Sequence, residues 1–248
     1  MSLVIAHRGC SGEAPENTMI AFQKALEMKV DFIELDVRPS KDGKIMVIHD
    51  ETLQRTTNGW GEVGGLTREE IQRLDAGSWL SARFRGERVP MLTEVLQLVK
   101  SSSCRLLIEI KEGEGLPSRF EREIVLAVQK CKMQKRVILQ SFDPGAVSRI
   151  KGEDPFLAVG LLIRQLGADW IADAQAARAE TLVVKSRLIT QEVIQQAHLH
   201  DLRVFVWTVN KASEIKKMVR LGVDGIRTDY PDDAIRIIRN HFEISDLK

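Results

Sequence analysis

The sequence is poor in residues that mark several classes of protein. Aromatic residues make up 5% of the 248 residues, and only three are cysteines, Cys10, Cys104 and Cys131. An odd number of cysteines without C-x-x-C spacing argues against a structural zinc site and against a disulfide framework. Reduced thiols are typical of intracellular proteins, so the sequence predicts a cytoplasmic protein.

Long apolar runs and an excess of one charge sign are also missing. No segment approaches the ~20 apolar residues of a transmembrane helix. The first residues, Met1–His7, lack the basic and apolar regions of a signal peptide, so we expect no stable membrane anchor. The 36 lysines and arginines nearly balance the 35 aspartates and glutamates, which argues against a nucleic-acid partner. A small-molecule phosphate ligand is compatible with this balance, because it needs only a few donors.

Length and composition favour one globular domain over residues 1–248. A single α/β barrel takes about 250 residues. The content of 44% hydrophobic and 29% charged residues is ordinary for a globular chain. A chain of this size can bury a core without disulfides or a structural metal.

Short β-branched runs alternate with amphipathic runs along most of the chain, which is typical of βαβ units. The predicted strands are Leu3–His7, Phe32–Val37, Arg105–Lys111, Arg136–Phe142, Leu157–Ile163, Thr181–Lys185, Arg203–Val209 and Gly225–Thr228. The predicted helices are Thr18–Met28, Thr93–Lys100, Ser118–Cys131, Pro144–Ile150, Ala168–Arg178, Gln191–Leu199, Ala212–Leu221 and Asp232–Phe242. Asn17 is the expected N-cap of the first helix. Eight strands, each followed by a helix, predict a closed (β/α)₈ TIM barrel rather than an open sheet.

The connection between the second strand and the second of these helices, residues 40–91, is too long for an ordinary loop. It contains the hairpin signal Asp42-Gly43, the apolar run Lys44–His49 and a short helix predicted over Thr67–Leu74. We predict a small insertion that rises from the C-terminal rim of the barrel.

Charged residues inside barrel strands are informative, because such strands are usually apolar on both faces. They cluster in two strands. Glu34 and Asp36 lie two residues apart in the second strand, so both side chains point to one face. Glu109 and Lys111 repeat this spacing in the third strand. We expect these side chains to converge at the C-terminal end of the barrel, where barrel enzymes keep their active sites.

Three converging carboxylates repel one another unless a cation holds them, because unpaired buried charge is costly. A divalent cation bound by Glu34, Asp36 and Glu109 would remove the repulsion. Ligation by oxygen alone favours Mg²⁺ or Ca²⁺, with Mn²⁺ as a further candidate. The alternative is a buried network of ion pairs, in which Lys111 holds Glu109. Arg8 would hold Glu34 in the same network.

Two of the five histidines fall at the ends of predicted strands on the same rim. His7 ends the first strand, and His49 ends the apolar run Lys44–His49. Imidazole titrates near neutral pH, so two histidines can divide general-acid and general-base work. Neither shows the spacing of a zinc site. We predict that His7 and His49 transfer protons beside an oxygen-ligated metal, and the division of acid and base between them stays open.

Two further residues are candidates for substrate contacts. Arg8 offers a planar guanidinium suited to a phosphate or a carboxylate; the alternative is a structural pair with Glu34 or Asp36. Trp207 has the inward alternation of its strand and could line the pocket as an apolar platform. A core tryptophan is the competing interpretation.

Short motifs occur in a fixed order along essentially the whole chain. They are His7-Arg8-Gly9, Ala14-Pro15-Glu16-Asn17-Thr18, Ile33-Glu34-Leu35-Asp36-Val37, Asp42-Gly43, His49-Asp50, Arg55-Thr56-Thr57-Asn58-Gly59, Leu74-Asp75-Ala76-Gly77, Pro90-Met91-Leu92, Glu109-Ile110-Lys111, Ser141-Phe142-Asp143, Trp207-Thr208-Val209-Asn210 and Gly222-Val223-Asp224-Gly225-Ile226. Their joint occurrence is specific, whereas His-Arg-Gly alone would be a weak signal. With these motifs the chain resembles the glycerophosphodiester phosphodiesterase family, which has an insertion after strand two.

The resemblance implies a barrel related to phosphatidylinositol phospholipase C. It also implies hydrolysis of glycerophosphodiesters to sn-glycerol 3-phosphate and an alcohol. By motif position, Glu34, Asp36 and Glu109 would bind the metal. His7 and His49 would be the acid/base pair, and the nucleophile would be either water or the neighbouring glycerol hydroxyl of the substrate.

The resemblance further implies that Arg8 and Lys111 hold phosphate oxygens. Three positions depart from the family pattern. Ser40 stands where threonine is common, Lys29 where glycine is common, and Leu80 where an aromatic residue is usual. Leu80 lies in the insertion and could affect the preference for the alcohol group, but none of the three belongs to the catalytic set.

Three rival functions need consideration. A lysophospholipase D-type enzyme would keep the site but need an exposed apolar approach on the insertion. A non-catalytic glycerophosphodiester-binding protein would not need the full set of histidines, carboxylates and lysine. A different phosphate-handling barrel would use Gly222–Ile226, but it would leave the carboxylate cluster unexplained.

Overall fold

Eight parallel strands close into a barrel in the computed structural model, which describes residues 1–111, 119–167 and 169–245, the last six by their backbone alone. The strands are β1 (Leu3–Ala6), β2 (Phe32–Pro39), β3 (Ile45–Val47), β4 (Arg105–Ile110), β5 (Val137–Ser141), β6 (Ala158–Ile163), β7 (Thr181–Lys185), β8 (Arg203–Trp207) and β9 (Gly225–Thr228). The barrel order is β1-β2-β4-β5-β6-β7-β8-β9, and β1 pairs with both β2 and β9. The short β3 lies outside, antiparallel to β2.

A helix follows each barrel strand, which confirms the predicted (β/α)₈ TIM barrel. The helices are α1 (Met19–Glu27), α2 (Arg68–Gln72), α3 (Leu92–Lys100), α4 (Phe120–Lys130), α5 (Pro144–Glu153), α6 (Trp170–Ala176), α7 (Gln191–Leu199), α8 (Ala212–Leu221) and α9 (Pro231–Ser245). The predicted first residues of α4 and α6 are Ser118 and Ala168, and both lie outside the described residues. No helix of the described chain is long and apolar enough to cross a bilayer.

The predicted N-cap of α1 is wrong. The capping position belongs to Thr18, and Asn17 has a left-handed backbone with φ 57°. The side chain of Asn17 points away from the helix, and its amide nitrogen donates a hydrogen bond of 2.8 Å to Asp36 Oδ2. Asn17 therefore ties the start of α1 to the interior of the barrel instead of capping the helix.

Strand alternation divides the barrel core into an inner and an outer part. Inward residues of seven strands form the inner cluster, which consists of Ile5, Phe32, Leu107, Ile138, Leu162, Val183 and Phe205. Outward residues of the same strands, such as Ile33 and Leu35, pack against the helices in a much larger cluster. The apolar inner cluster fills the barrel below its C-terminal end, so polar inward side chains lie above it.

Residues 40–91 form the insertion between β2 and α3. Its strand β3 pairs with the C-terminal half of β2, with Val47 opposite Val37. The helix α2 begins with a capping box between Thr67 and Glu70. The insertion has an apolar cluster of its own, made of Met46, Ile48, Leu53, Val63, Ile71, Ala76 and Val89. This cluster fixes the segment that carries His49.

We expect Leu53→Ala to lower the free energy of unfolding by about 2–5 kcal/mol, because a fully buried leucine leaves a cavity that the insertion core cannot fill. Urea unfolding followed by circular dichroism measures the loss. Leu199→Ala is the matched control, since that side chain is 74% exposed, and it should change the free energy by less than about 0.5 kcal/mol. Equal effects of the two changes would mean that the insertion does not unfold with the barrel.

Candidate active site

Three carboxylates converge inside the barrel near its C-terminal end. Glu34 and Asp36 come from β2, and Glu109 comes from β4, where it lies opposite Asp36 in the register. All three are buried, and one oxygen of each lies within 4.8 Å of the other two. The predicted convergence of these residues is therefore present, and it arises because inward side chains alternate along adjacent parallel strands.

Three cations surround these carboxylates. Lys111 Nζ lies 2.8 Å from Asp36 Oδ1 and also contacts Glu109 Oε1. Arg8 Nε lies 3.2 Å from Asp36 Oδ2. Arg227 donates a hydrogen bond of 2.6 Å to Glu34 Oε1, and its guanidinium is 3.7 Å from Glu109 Oε2.

The ion-pair network weighed against a metal is thus present in a modified form. Arg8 pairs with Asp36 through its side chain and reaches Glu34 only through its backbone N–H, at 3.0 Å. Burial nevertheless raises the pKa of Glu34, although the charge of Arg227 lowers it in part. Burial also acts to raise the pKa of Asp36, but Lys111 and Arg8 together hold it well below its usual range. Nearby positive charge therefore outweighs burial at Asp36 but not at Glu34.

The turn after β1 explains how Arg8 reaches both carboxylates. Arg8 and Gly9 are successive left-handed residues, with φ 54° and 82°. A Cβ atom at Gly9 would lie 2.7 Å from the backbone carbon of Ala21, so only glycine fits this close approach between the turn and α1. The turn aims the backbone N–H of Arg8 at Glu34, and its guanidinium contacts Glu16 at 2.7 Å.

His7 is held by a carboxylate from the opposite end of the chain. Its Nδ1 lies 2.6 Å from Asp229 Oδ1, and its Nε2 lies 4.0 Å from Glu34 Oε2. Asp229 also accepts hydrogen bonds from Asn210 and Ser11. Burial acts to raise the pKa of Asp229, but these hydrogen bonds, that of His7 foremost, lower it to about 2. The ring of His7 is thus oriented with Nε2 toward the carboxylates.

His49 has the same arrangement on the insertion side. Its Nδ1 lies 2.5 Å from Asp50 Oδ1, and Asp50 is held in turn by Arg55. Arg55 also binds Glu16, which follows β1 in the chain. Burial, assisted by the positive charges of Lys111 and Arg8, lowers the pKa of His49, although the charge of Asp36 raises it in part. In each histidine, Nδ1 binds a carboxylate, whereas Nε2 has no hydrogen-bond partner among the described residues.

Trp207 stands at the mouth of the barrel and not in the closed core. Its ring is partly buried against the inner cluster, and its indole nitrogen donates to the Val183 carbonyl at 2.9 Å. Phe142 packs edge-on against it with ring centroids 5.8 Å apart. The guanidinium of Arg227 lies 5.0 Å from the indole centroid. Trp207 is therefore half-buried against the inner cluster and adjoins Arg227, and its part in lining a substrate pocket stays a prediction.

The sequence reasoning missed Arg227, Asp229, Glu16 and Arg55. It placed the informative charges in two strands, yet Arg227 is an inward charge in β9 and only 2% exposed. The signal was available, because a lone arginine between apolar residues of a predicted strand is as unusual as a glutamate.

Gln140 was missed as well. It is fully buried, and among the described residues neither its amide nitrogen nor its amide oxygen has a hydrogen-bond partner.

Substitution of Arg227 tests how much its ion pair with Glu34 stabilises the fold. We expect Arg227→Met to lower the free energy of unfolding in metal-free buffer by about 3–5 kcal/mol, because it leaves Glu34 buried without its partner. Urea unfolding measures this loss. Arg236→Met removes an exposed pair with Asp233 instead and should cost at most about 1 kcal/mol. A similar small loss for Arg227→Met would contradict the importance of this pair.

Comparisons with known proteins agree with the arrangement. The model of the glycerophosphoryl diester phosphodiesterase family matches residues 7–233. The chain is 40% identical over 241 residues to the glycerophosphodiester phosphodiesterase of Caldanaerobacter subterraneus subsp. tengcongensis, covering 96% of this chain and 98% of that protein. It is 37% identical over 240 residues to the glycerophosphodiester phosphodiesterase of Bacillus altitudinis, covering 96% and 98%.

Solved structures show the same fold. The phosphodiesterase of Oleispira antarctica, in complex with the product sn-glycerol-3-phosphate, superimposes with a TM-score of 0.88 at 28% sequence identity. The superposition covers 96% of this chain and 97% of that protein. By the family match and by identity over nearly its whole length, this chain belongs to the glycerophosphoryl diester phosphodiesterase family.

Proposed function

We propose that the protein hydrolyses glycerophosphodiesters to sn-glycerol 3-phosphate and an alcohol. The observation that carries the proposal is the convergence of two oriented histidines and a buried carboxylate triad at one end of the barrel. The relatives and the product complex named above support the same reaction. A protein that only binds such diesters would not need both histidine–carboxylate pairs.

Glu34, Asp36 and Glu109 would hold a divalent cation. The 4.8 Å spread of their oxygens is about twice the length of a Ca²⁺–oxygen bond, so the residues fit such an ion. Their all-oxygen donor set suits Mg²⁺, Ca²⁺ or Mn²⁺, and burial raises the pKa of Glu34, which supports a further cation beside this carboxylate. When bound, the cation would supply electrostatic stabilisation of the charge that develops on the phosphate.

The remaining residues have complementary tasks. Arg8 and Lys111, which contact Asp36 from two sides, would bind nonbridging phosphate oxygens. One of His7 and His49 accepts the proton of the attacking hydroxyl, either of water or of the substrate's glycerol. The other gives a proton to the oxygen of the leaving alcohol as its bond to phosphorus breaks. If the glycerol hydroxyl attacks, the product of this step is a cyclic phosphate, and water then opens it to sn-glycerol 3-phosphate. Trp207 would form the apolar wall beside the phosphate.

A second substrate class is favoured by exposed apolar side chains on the insertion. Trp60 is 80% exposed, and Trp79 and Leu80 are 39% and 40% exposed. These residues could receive the acyl chain of a lysophospholipid, as a lysophospholipase D requires. Comparing glycerophosphocholine with lysophosphatidylcholine in one assay separates the two classes, since only the second has a chain for these residues to contact.

Removal of the metal should abolish most of the activity. We expect a chelator to lower the release of sn-glycerol 3-phosphate from glycerophosphoglycerol by at least about 10²-fold, because the transition-state charge loses its main stabilisation. Adding back Mg²⁺, Ca²⁺ or Mn²⁺ should restore it. Glu109→Gln should weaken cation binding measured by calorimetry, while Glu214→Gln, on the exposed side of α8, should not. Full activity in the chelator would disprove the metal assignment.

Loss of either histidine should lower turnover strongly. General acid–base assistance is worth about 10²–10⁴-fold, so His7→Ala and His49→Ala should each lower kcat by at least about 10²-fold. His198→Ala is the control, because His198 pairs with Asp224 on the surface, and its rate should change by less than about twofold. A near-normal kcat for either active-site variant would remove that residue from the acid/base pair.

A further inference from the structure

The rim formed by β5 to β8 carries two cations that the proposed reaction does not use. Arg164 follows the last residue of β6, and Lys185 ends β7. Lys185 has the same inward alternation as Val183 in the inner cluster, and Arg164 has that of Leu162. Both therefore belong to the mouth of the barrel, on the side away from the insertion.

Aromatic rings hold both cations at this position. The guanidinium of Arg164 lies 3.7 Å from the centroid of the Phe142 ring. Lys185 Nζ lies 5.8 Å from the centroid of Trp207. Since Phe142 and Trp207 pack against each other, the two cations flank one aromatic pair. Cation–π contacts of this kind fix charged side chains that would otherwise sample many rotamers.

These two cations differ from the others at the mouth, because no carboxylate of the described chain pairs with them. Arg8, Lys111 and Arg227 each contact a carboxylate of the triad. Across residues 1–111, 119–167 and 169–239, neither Arg164 nor Lys185 lies within ion-pair distance of a carboxylate. A pair of fixed, uncompensated cations beside an active site attracts an anion.

A chain of contacts joins this pair to the triad. Arg227 binds Glu34 and lies over Trp207, Trp207 packs on Phe142, and Phe142 carries Arg164. A phosphodiester has two arms, and one of them can pass from the phosphate over this aromatic pair while the insertion flanks the other side. The two cations flank that aromatic pair, so an anionic group on this arm would meet them.

We propose that Arg164 and Lys185 form a second anion site, which binds a phosphate on the alcohol arm of the substrate. This inference rests on the proposed hydrolysis of glycerophosphodiesters. The preferred substrates would be diesters whose alcohol carries a phosphate of its own. A diester with a cationic alcohol, such as choline, would be the poorest of the class because its arm is repelled.

Three diesters test the proposal with one product assay. Bis(glycerophospho)glycerol has a second phosphate on the arm, glycerophosphoglycerol has a neutral arm, and glycerophosphocholine has a cationic arm. The double variant Arg164→Gln/Lys185→Gln should lower kcat/KM for the first by about 10- to 100-fold, the range for losing hydrogen bonds to a charged group. For the neutral diester the change should stay below about threefold, the range of surface substitutions.

Two further variants separate charge from structure. Arg164→Lys/Lys185→Arg keeps both charges and should retain most of the activity on bis(glycerophospho)glycerol. Lys216→Gln/Lys217→Gln removes the same net charge from the exposed side of α8 and should leave the ratio between the three substrates unchanged. Thermal unfolding of all variants shows whether the fold is kept.

The outcomes distinguish this inference from the proposed function. An equal fall for all three diesters would overturn it, because the two cations would then act on the scissile phosphate or on the fold. Unchanged ratios in the Gln double variant would overturn it as well. If the normal protein releases no sn-glycerol 3-phosphate even from glycerophosphoglycerol, the proposed function itself fails and the second anion site loses its basis.

Discussion

The balance between three buried carboxylates and three cations is the constraint on which the mouth of this barrel depends. Unpaired charges cannot be buried cheaply, so Glu34, Asp36 and Glu109 require partners from other strands. Closure of the sheet provides these partners, because β9 lies next to β1 and β4 lies next to β2. The charge of Glu34 is compensated only in part, because burial still raises its pKa despite Arg227, and the three carboxylates together form a group able to hold a metal ion.

Carboxylates outside this network position the two histidines, which come from very different parts of the chain. His7 is anchored by Asp229, 222 residues away. His49 is anchored by Asp50 and Arg55 inside the insertion, and Glu16 links Arg55 back to the chain after β1. The apolar cluster of the insertion thus supports the active site indirectly, because it holds the backbone segment that carries His49.

The two sides of the mouth then have different chemistry. Toward the insertion lie a histidine and its matched charges, together with exposed aromatic residues such as Trp60. Toward β6 and β7 lie Arg164 and Lys185, which are placed by aromatic rings and unmatched by carboxylates in the described chain. The scissile phosphate would sit between these sides, so each can select for a different arm of one diester.

The amino-acid sequence by itself determined the (β/α)₈ order and the convergence of Glu34, Asp36 and Glu109, because both follow from local periodicity. It also indicated the insertion, through the length of the connection after the second strand. Four predicted elements, Thr181–Lys185, Gln191–Leu199, Ala212–Leu221 and Gly225–Thr228, have the bounds seen in the structure. The misassigned cap at Asn17 and the missed partners Arg227 and Asp229 have one cause. Their side chains bind residues 19, 193 and 222 positions away, and periodicity carries no information on such pairs. Only closure of the barrel, which brings the last strand beside the first, decided which charges compensate one another.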